Sequence, residues 1–213
     1  MQHNKSKQVA NYKAGFIGLI GQPNAGKSSL MNYLIKEKVS IVTSKPQTTR
    51  RRILGVHSEA KGQVVFIDAP GLVKSTSGLN EFLRKEAEDV IQSSDALIAV
   101  LSINEDSIER NEEILDLVSK ANKPWFVLIT KTDIQDKAHR VLLLKDLVKK
   151  YNVEAFSFSI KNESQEDRQL VLDQCINLLP LAPAPLYDEE LFTTENMRGL
   201  AEEIVREKCF ETL

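Results

Sequence analysis

The sequence predicts an α/β fold: a doubly wound, mostly parallel six-stranded sheet with helices on both faces. Two observations carry that expectation. Runs of strand length at residues 15–20, 52–57, 63–67, 96–101, 125–129 and 154–158 are largely apolar and do not alternate, the pattern of strands buried on both faces. Stretches of helical period at 27–38, 79–92, 111–121, 137–151 and 165–179 fall between or after these runs, and each parallel crossover must carry a helix over the sheet.

The first strand stops at a glycine-bearing turn opening at Gly21, and helix 27–38 starts at once, with Leu30, Met31, Leu34 and Ile35 on one stripe. The later strands and helices follow in alternation up to residue 179. Pro180, Pro183 and Pro185 then break the last helix and favour extended backbone, which reads as a semi-rigid linker. The resulting division is a polar lead at 1–12, one domain at 13–179, a Pro-containing linker at 180–193 and a C-terminal piece at 194–213. Its helix, expected at 194–210, is near the length at which isolated helices are marginal in water.

Composition narrows the class further. The 213 residues form one sizeable domain plus an appendage. No apolar run reaches the roughly 18 residues a bilayer span requires, and residues 1–13 lack the apolar stretch of a signal peptide. A cytoplasmic location is expected. Two cysteines, Cys175 and Cys209, are too few for a disulfide framework. With 28 basic and 30 acidic residues, no general attraction to nucleic acid is written into the charge balance. The acids do concentrate late: eight against three basic residues from Pro180 onward.

Gly21-Gln22-Pro23-Asn24-Ala25-Gly26-Lys27-Ser28 fits GxxxxGK(S/T) at every fixed position, between a predicted strand and a predicted helix. This is a P-loop. Glycines let successive amides converge on one anion, and the opening helix adds N–H groups and its positive dipole end. Gly21, Asn24, Ala25, Gly26, Ser28 and Ser29 are expected around the phosphates, Lys27 on the β and γ groups, and the Ser28 hydroxyl on Mg²⁺. The alternative is a chance glycine turn with a surface lysine.

Asp68-Ala69-Pro70-Gly71 closes strand 63–67, putting Asp68 at the carboxyl end of the sheet, 41 residues after Lys27. Asp68 could hold Mg²⁺ through water, and the Gly71 amide could bond a γ phosphate. Gly71→Ala is expected to lower hydrolysis while leaving GDP binding nearly intact. Thr130-Lys131-Thr132-Asp133 closes the next but one strand. Asp133 can accept from N1–H and the exocyclic amine of guanine together, a pattern adenine does not offer, so GTP is selected over ATP. A helix N-cap is the competing explanation. Ser159-Ile160-Lys161 would add backbone and hydroxyl groups near the base.

These segments, in this order, resemble a translation-factor-type small GTPase domain, and most closely the bacterial Era family, over residues 13–210. Further matches are Pro46-Gln47-Thr48-Thr49-Arg50, Leu72 after Gly71, and Ile204-Val205-Arg206-Glu207-Lys208. The resemblance implies a P-loop NTPase that hydrolyses GTP to GDP as a conformational switch. It implies Thr49, with Thr48 as fallback, as a Mg²⁺ ligand in the first switch, with residues 72–78 as the second. Lys27, Thr49 and Gly71 would form the catalytic set. It further implies small ribosomal subunit assembly with 16S rRNA as partner, a monomer, and a cytoplasmic protein for which peripheral contact with the inner membrane is open.

The chain departs from the family at Thr130, where Asn is usual, and at Ile160, where Ala is usual. The family's C-terminal KH domain carries a GxxG loop, and Gly199 is the one glycine within 186–213, so residues 194–213 are expected to be the start of a truncated KH-type domain and its RNA-binding loop to be absent here. Leu72 stands where Ras-like proteins carry a water-orienting Gln, which implies slow turnover. Asn24 matches the position that coordinates K⁺ in related GTPases, where a cation would supply the missing charge. Three other readings stay open: a guanine-nucleotide-binding regulatory module with little turnover, an ATP-dependent P-loop protein, and an RNA-binding protein in its own right. The basic cluster Lys45, Arg50, Arg51, Arg52 reads most simply as a solvated face.

Overall fold

The computed structural model describes residues 11–40, 52–72, 79–162 and 164–194, together with Gly199, Ala201, Glu202, Val205, Lys208 and Cys209. Its strands are β1 (Lys13–Gly21), β2 (Ile53–Glu59), β3 (Gly62–Asp68), β4 (Ala96–Ser102), β5 (Trp125–Thr130) and β6 (Ala155–Ser157). Its helices are α1 (Lys27–Ile35), α2 (Leu79–Ser93), α3 (Ile108–Ser119), α4 (His139–Lys149) and α5 (Gln165–Leu178). The six strands lie in the order β2-β3-β1-β4-β5-β6, all neighbours parallel except the β2–β3 hairpin.

The lack of alternation in the sequence has a direct cause: both faces of the sheet are buried. In β4, Ala96, Ile98 and Val100 enter one apolar cluster with Leu30, Met31 and Leu34 of α1 and Val171, Leu172 and Cys175 of α5. Leu97, Ala99 and Leu101 enter the other, with residues of α2, α3 and α4. β5 divides in the same way, Phe126 and Leu128 against Val127 and Ile129.

Local chemistry sets the element ends. Ser107 caps α3, its hydroxyl accepting from the Arg110 N–H, and Ser164 caps α5 by accepting from Asp167. α1 stops at Ile35 because Lys36 turns left-handed, with φ of 66°.

The chain crosses from β1 to one side of the sheet and returns after β3 to the other, so a crevice opens at the carboxyl end of β1. The stretch read as a spacer is held against the sheet. Ala14 N–H donates to Pro180 O at 3.2 Å and Ala182 N–H to Tyr12 O at 2.8 Å. Gln63, fully buried, accepts from the Leu186 and Tyr187 N–H groups at 2.8 and 2.9 Å and donates to Tyr187 O and Ser58 Oγ, both at 2.9 Å. Val56 N–H donates to Phe192 O, and Thr193 Oγ1 donates to Leu54 O at 2.7 Å, along the outer edge of β2. The helix expected at 194–210 falls largely outside the described residues. Among those described, no helix is long and apolar enough to cross a membrane.

Candidate functional site

The loop after β1 is built around its backbone. Gly26 sits at φ of 95°, a conformation that L side chains rarely adopt, and no side chain caps the helix it opens. The N-terminus of α1 is thereby left for an anion. Lys27 is 6% exposed and donates to Gly21 O at 3.2 Å and Gln22 O at 3.0 Å, folding back over its own loop. Burial lowers its pKa to about 8, against the opposing pull of the Asp68 charge.

Asp68 ends β3 with no exposed surface. Its Oδ2 accepts from Ser28 Oγ at 2.5 Å and Ser40 Oγ at 3.0 Å, while its Oδ1 is buried without a hydrogen-bond partner. Burial raises the carboxyl above its ordinary range, and the Lys27 charge and the two hydroxyls oppose that rise. A buried ammonium and a buried carboxylate with one oxygen unsatisfied form an arrangement that an anion and a hard cation would complete.

Gly71 presses against the loop: a Cβ there would stand 2.5 Å from both Cα and N of Pro23. Leu72 N–H donates to Gly21 O at 3.1 Å, and its half-buried side chain packs on the apolar cluster beneath α2 and α3. The expectation that Gly71→Ala spares GDP binding therefore needs correcting, because the added methyl would push on the phosphate loop itself.

The base-side segments are also tied to this loop. Thr130 ends β5, 3% exposed, and its hydroxyl faces Ala25 O at 2.7 Å and Leu101 O at 3.2 Å. One hydroxyl proton serves both carbonyls, so Thr130 clamps the loop to the strand ends. Lys131, at φ of 61°, donates to Asn24 O at 2.6 Å, and burial lowers its pKa against the pull of Asp133. Asp133 accepts from Ser159 Oγ at 2.7 Å and pairs with Lys161 Nζ at 3.6 Å, and the Ser159 hydrogen bond leads in lowering its pKa. The Ser159 hydroxyl therefore orients Asp133, while Ile160 packs on the α1–α5 cluster.

Contacts link Gly21, Asn24, Ala25, Lys27, Ser28, Asp68, Gly71, Thr130 and Lys131 about the loop that Gly26 ends, and Asp133, Ser159 and Lys161 form a second group beside Lys131. Ser29 lies half-buried in the first turn of α1. Thr48, Thr49 and residues 73–78 fall outside the described residues. Sequence reasoning missed Asn32 and Ser40, the latter 2% exposed and bonded to Asp68. It also missed Gln22, whose amide donates to Arg110 O at 3.0 Å and braces the loop on α3. The one available signal was spacing, since Asn32 follows Ser28 by one helical turn.

A doubly wound sheet whose first strand feeds a P-loop, with one carboxylate at the end of the neighbouring β3 and another just past β5, defines a P-loop nucleotide-binding protein. The pattern of 50S ribosome-binding GTPases matches residues 16–131. The GTPase Era of Nitratidesulfovibrio vulgaris is 38% identical over 212 residues, covering 95% of this chain and 67% of that protein. The Era of Geobacter metallireducens is 33% identical, covering 93% and 66%. This chain belongs to the Era family of GTPases, and spans about two thirds of the length of these relatives.

Solved structures agree on the fold. A variant of Aquifex aeolicus Era bound to GDP and aluminium fluoride superposes with a TM-score of 0.82 at 31% identity, covering 94% of this chain and 68% of that one. An Era complex with MgGDPNP and a 16S ribosomal RNA segment gives 0.81 at 32% identity, covering 92% and 67%.

Proposed function

We propose that this chain binds GTP and GDP with Mg²⁺ at the carboxyl end of β1 and hydrolyses GTP, changing conformation with the state of the nucleotide. The observation that carries the reading is buried Lys27 beside buried Asp68, whose Oδ1 lacks a partner. Ser28, Asp68 and Thr49, with Thr48 as its alternate, supply the hard oxygen donors that suit Mg²⁺. When bound, the metal neutralises charge on the phosphate oxygens. Ser28 would hold it directly and Asp68 through water. Lys27 turns from the loop carbonyls to the β and γ phosphates, the amides of residues 24–29 cradle them, and the Gly71 amide meets the γ group. Asp133 reads guanine, oriented by Ser159, and the Lys131 stem supports the base side of the loop.

Leu72 cannot orient a water, and its packing against the core favours slow turnover. That favours, as a second reading, a regulatory module that holds nucleotide with little hydrolysis. Exposed Asn24 offers a neutral amide oxygen that would suit K⁺ and so add the missing positive charge. Participation in small-subunit assembly with 16S rRNA, a cytoplasmic location with peripheral membrane contact, and a monomeric state belong to the same proposal, by kinship with Era.

The test is titration calorimetry with GDP and Mg²⁺ followed by single-turnover hydrolysis. The expected outcome is saturable GDP binding with ADP undetected, a preference lost in Asp133→Asn, and faster hydrolysis in KCl than in NaCl. Absence of heat with millimolar GDP would sink the nucleotide reading, negligible turnover would leave the regulatory module, and equal rates in the two salts would remove potassium.

A further inference from the structure

Asp68 is shared unevenly. Both hydroxyls that reach it, from Ser28 and Ser40, donate to Oδ2, and Oδ1 is left buried and unpartnered. The carboxylate is thus anchored through one oxygen and open through the other, as a group must be if it is to accept from a metal-bound water without turning.

Ser40 does not reach Asp68 by its own flexibility. Val39 N–H and Ser40 N–H both donate to Asn32 Oδ1 at 3.0 Å, and Asn32 Nδ2 donates to Ser40 O at 2.8 Å. The Asn32 amide therefore holds the backbone of residues 39 and 40 through both its oxygen and its nitrogen. Ser28 and Asn32 lie four residues apart on α1, hence on one face. One helix delivers two hydroxyls to Asp68: its own, and a second through the Asn32 clamp.

We propose that Ser40, set in place by Asn32, is a positioning residue for Asp68 and thereby strengthens Mg²⁺ binding at the phosphate site. The inference rests on the nucleotide and metal reading above. Groups that orient a ligand from behind commonly alter metal affinity about 10–100-fold when removed. Ser40 makes no contact with phosphate or base in this scheme, so its loss acts on the metal alone.

The experiment follows release of a fluorescent GDP analogue from the full chain across a range of Mg²⁺ concentrations and in EDTA. The expected result is that Ser40→Ala raises the Mg²⁺ concentration needed to slow release by about tenfold, while release in EDTA is unchanged. Asn32→Ala shifts the midpoint the same way, and the double variant shifts it no further than the larger single change, because both act through one hydroxyl. An unchanged midpoint in Ser40→Ala, additive shifts, or equally faster release in EDTA overturns the inference. If Asn32→Ala does not fold, Ser40→Ala decides alone. Failure of the unsubstituted chain to bind the analogue at all overturns the nucleotide reading, and this inference with it.

Discussion

The carboxyl end of β1 and the start of β3, where the segment 186–187 crosses it, are two polar regions built on opposite terms. At the first, Lys27 and Asp68 are buried with bonding capacity in reserve: an ammonium resting on its own loop and a carboxylate oxygen without a partner. At the second, Gln63 spends both lone-pair positions and both amide protons on the segment 186–187 and Ser58, leaving nothing over. Unsatisfied groups in a core cost stability, and saturated ones do not. The contrast teaches which region is arranged for a ligand and which for the fold alone.

Substitutions can break that contrast, the largest effect coming at the phosphate site. Lys27→Met removes the ammonium while keeping its bulk. It should weaken GDP by about 3 kcal/mol, roughly a hundredfold or more, in titration calorimetry. Gln63→Ala should act on stability instead. It leaves the Leu186 and Tyr187 N–H groups and the Tyr187 carbonyl without their side-chain partner and should cost about 2 kcal/mol in urea unfolding, with GDP affinity within about twofold of the parent. A large loss of GDP binding in Gln63→Ala would erase the distinction.

The smallest expected effect sharpens it through pH. In the nucleotide-free protein Lys27 titrates at about 8, and a bound polyphosphate holds it protonated at higher pH. Binding above pH 8 must therefore take up a proton, so affinity is full below that value and falls as pH rises through it. By pH 9 GDP should bind about tenfold more weakly than at pH 7, a dependence that Lys27→Met abolishes.

Much of the fold was legible because the central strands β1, β3, β4 and β5 bury both faces, which writes unbroken apolar runs into the chain. Element ends were less so. α1 stops three residues before the expected 38 because Lys36 turns left-handed while Asn32 takes over the following turn, and α3 starts at Ile108 because Ser107 caps it. The phosphate loop could be read because its chemistry is local, eight consecutive residues acting through their own backbone. Thr130 was visible as a departure, but its role as a clamp depends on carbonyls 105 and 29 residues away. Ser40 and Gln63 look like ordinary polar residues until folding brings partners 28 and 124 positions distant. The proline-rich stretch announced a break from helix, and nothing in its composition disclosed that this segment would find donors and acceptors along β2.

That cover has a bearing on solubility. β2 is a terminal strand of the sheet, and bare strand margins invite pairing between molecules. The residues around Thr193 occupy the main-chain positions of Leu54 and Val56 that a second molecule would otherwise seek. Trimming the chain before Pro180 would uncover that margin and remove the partners of the Gln63 amide, both of which favour self-association.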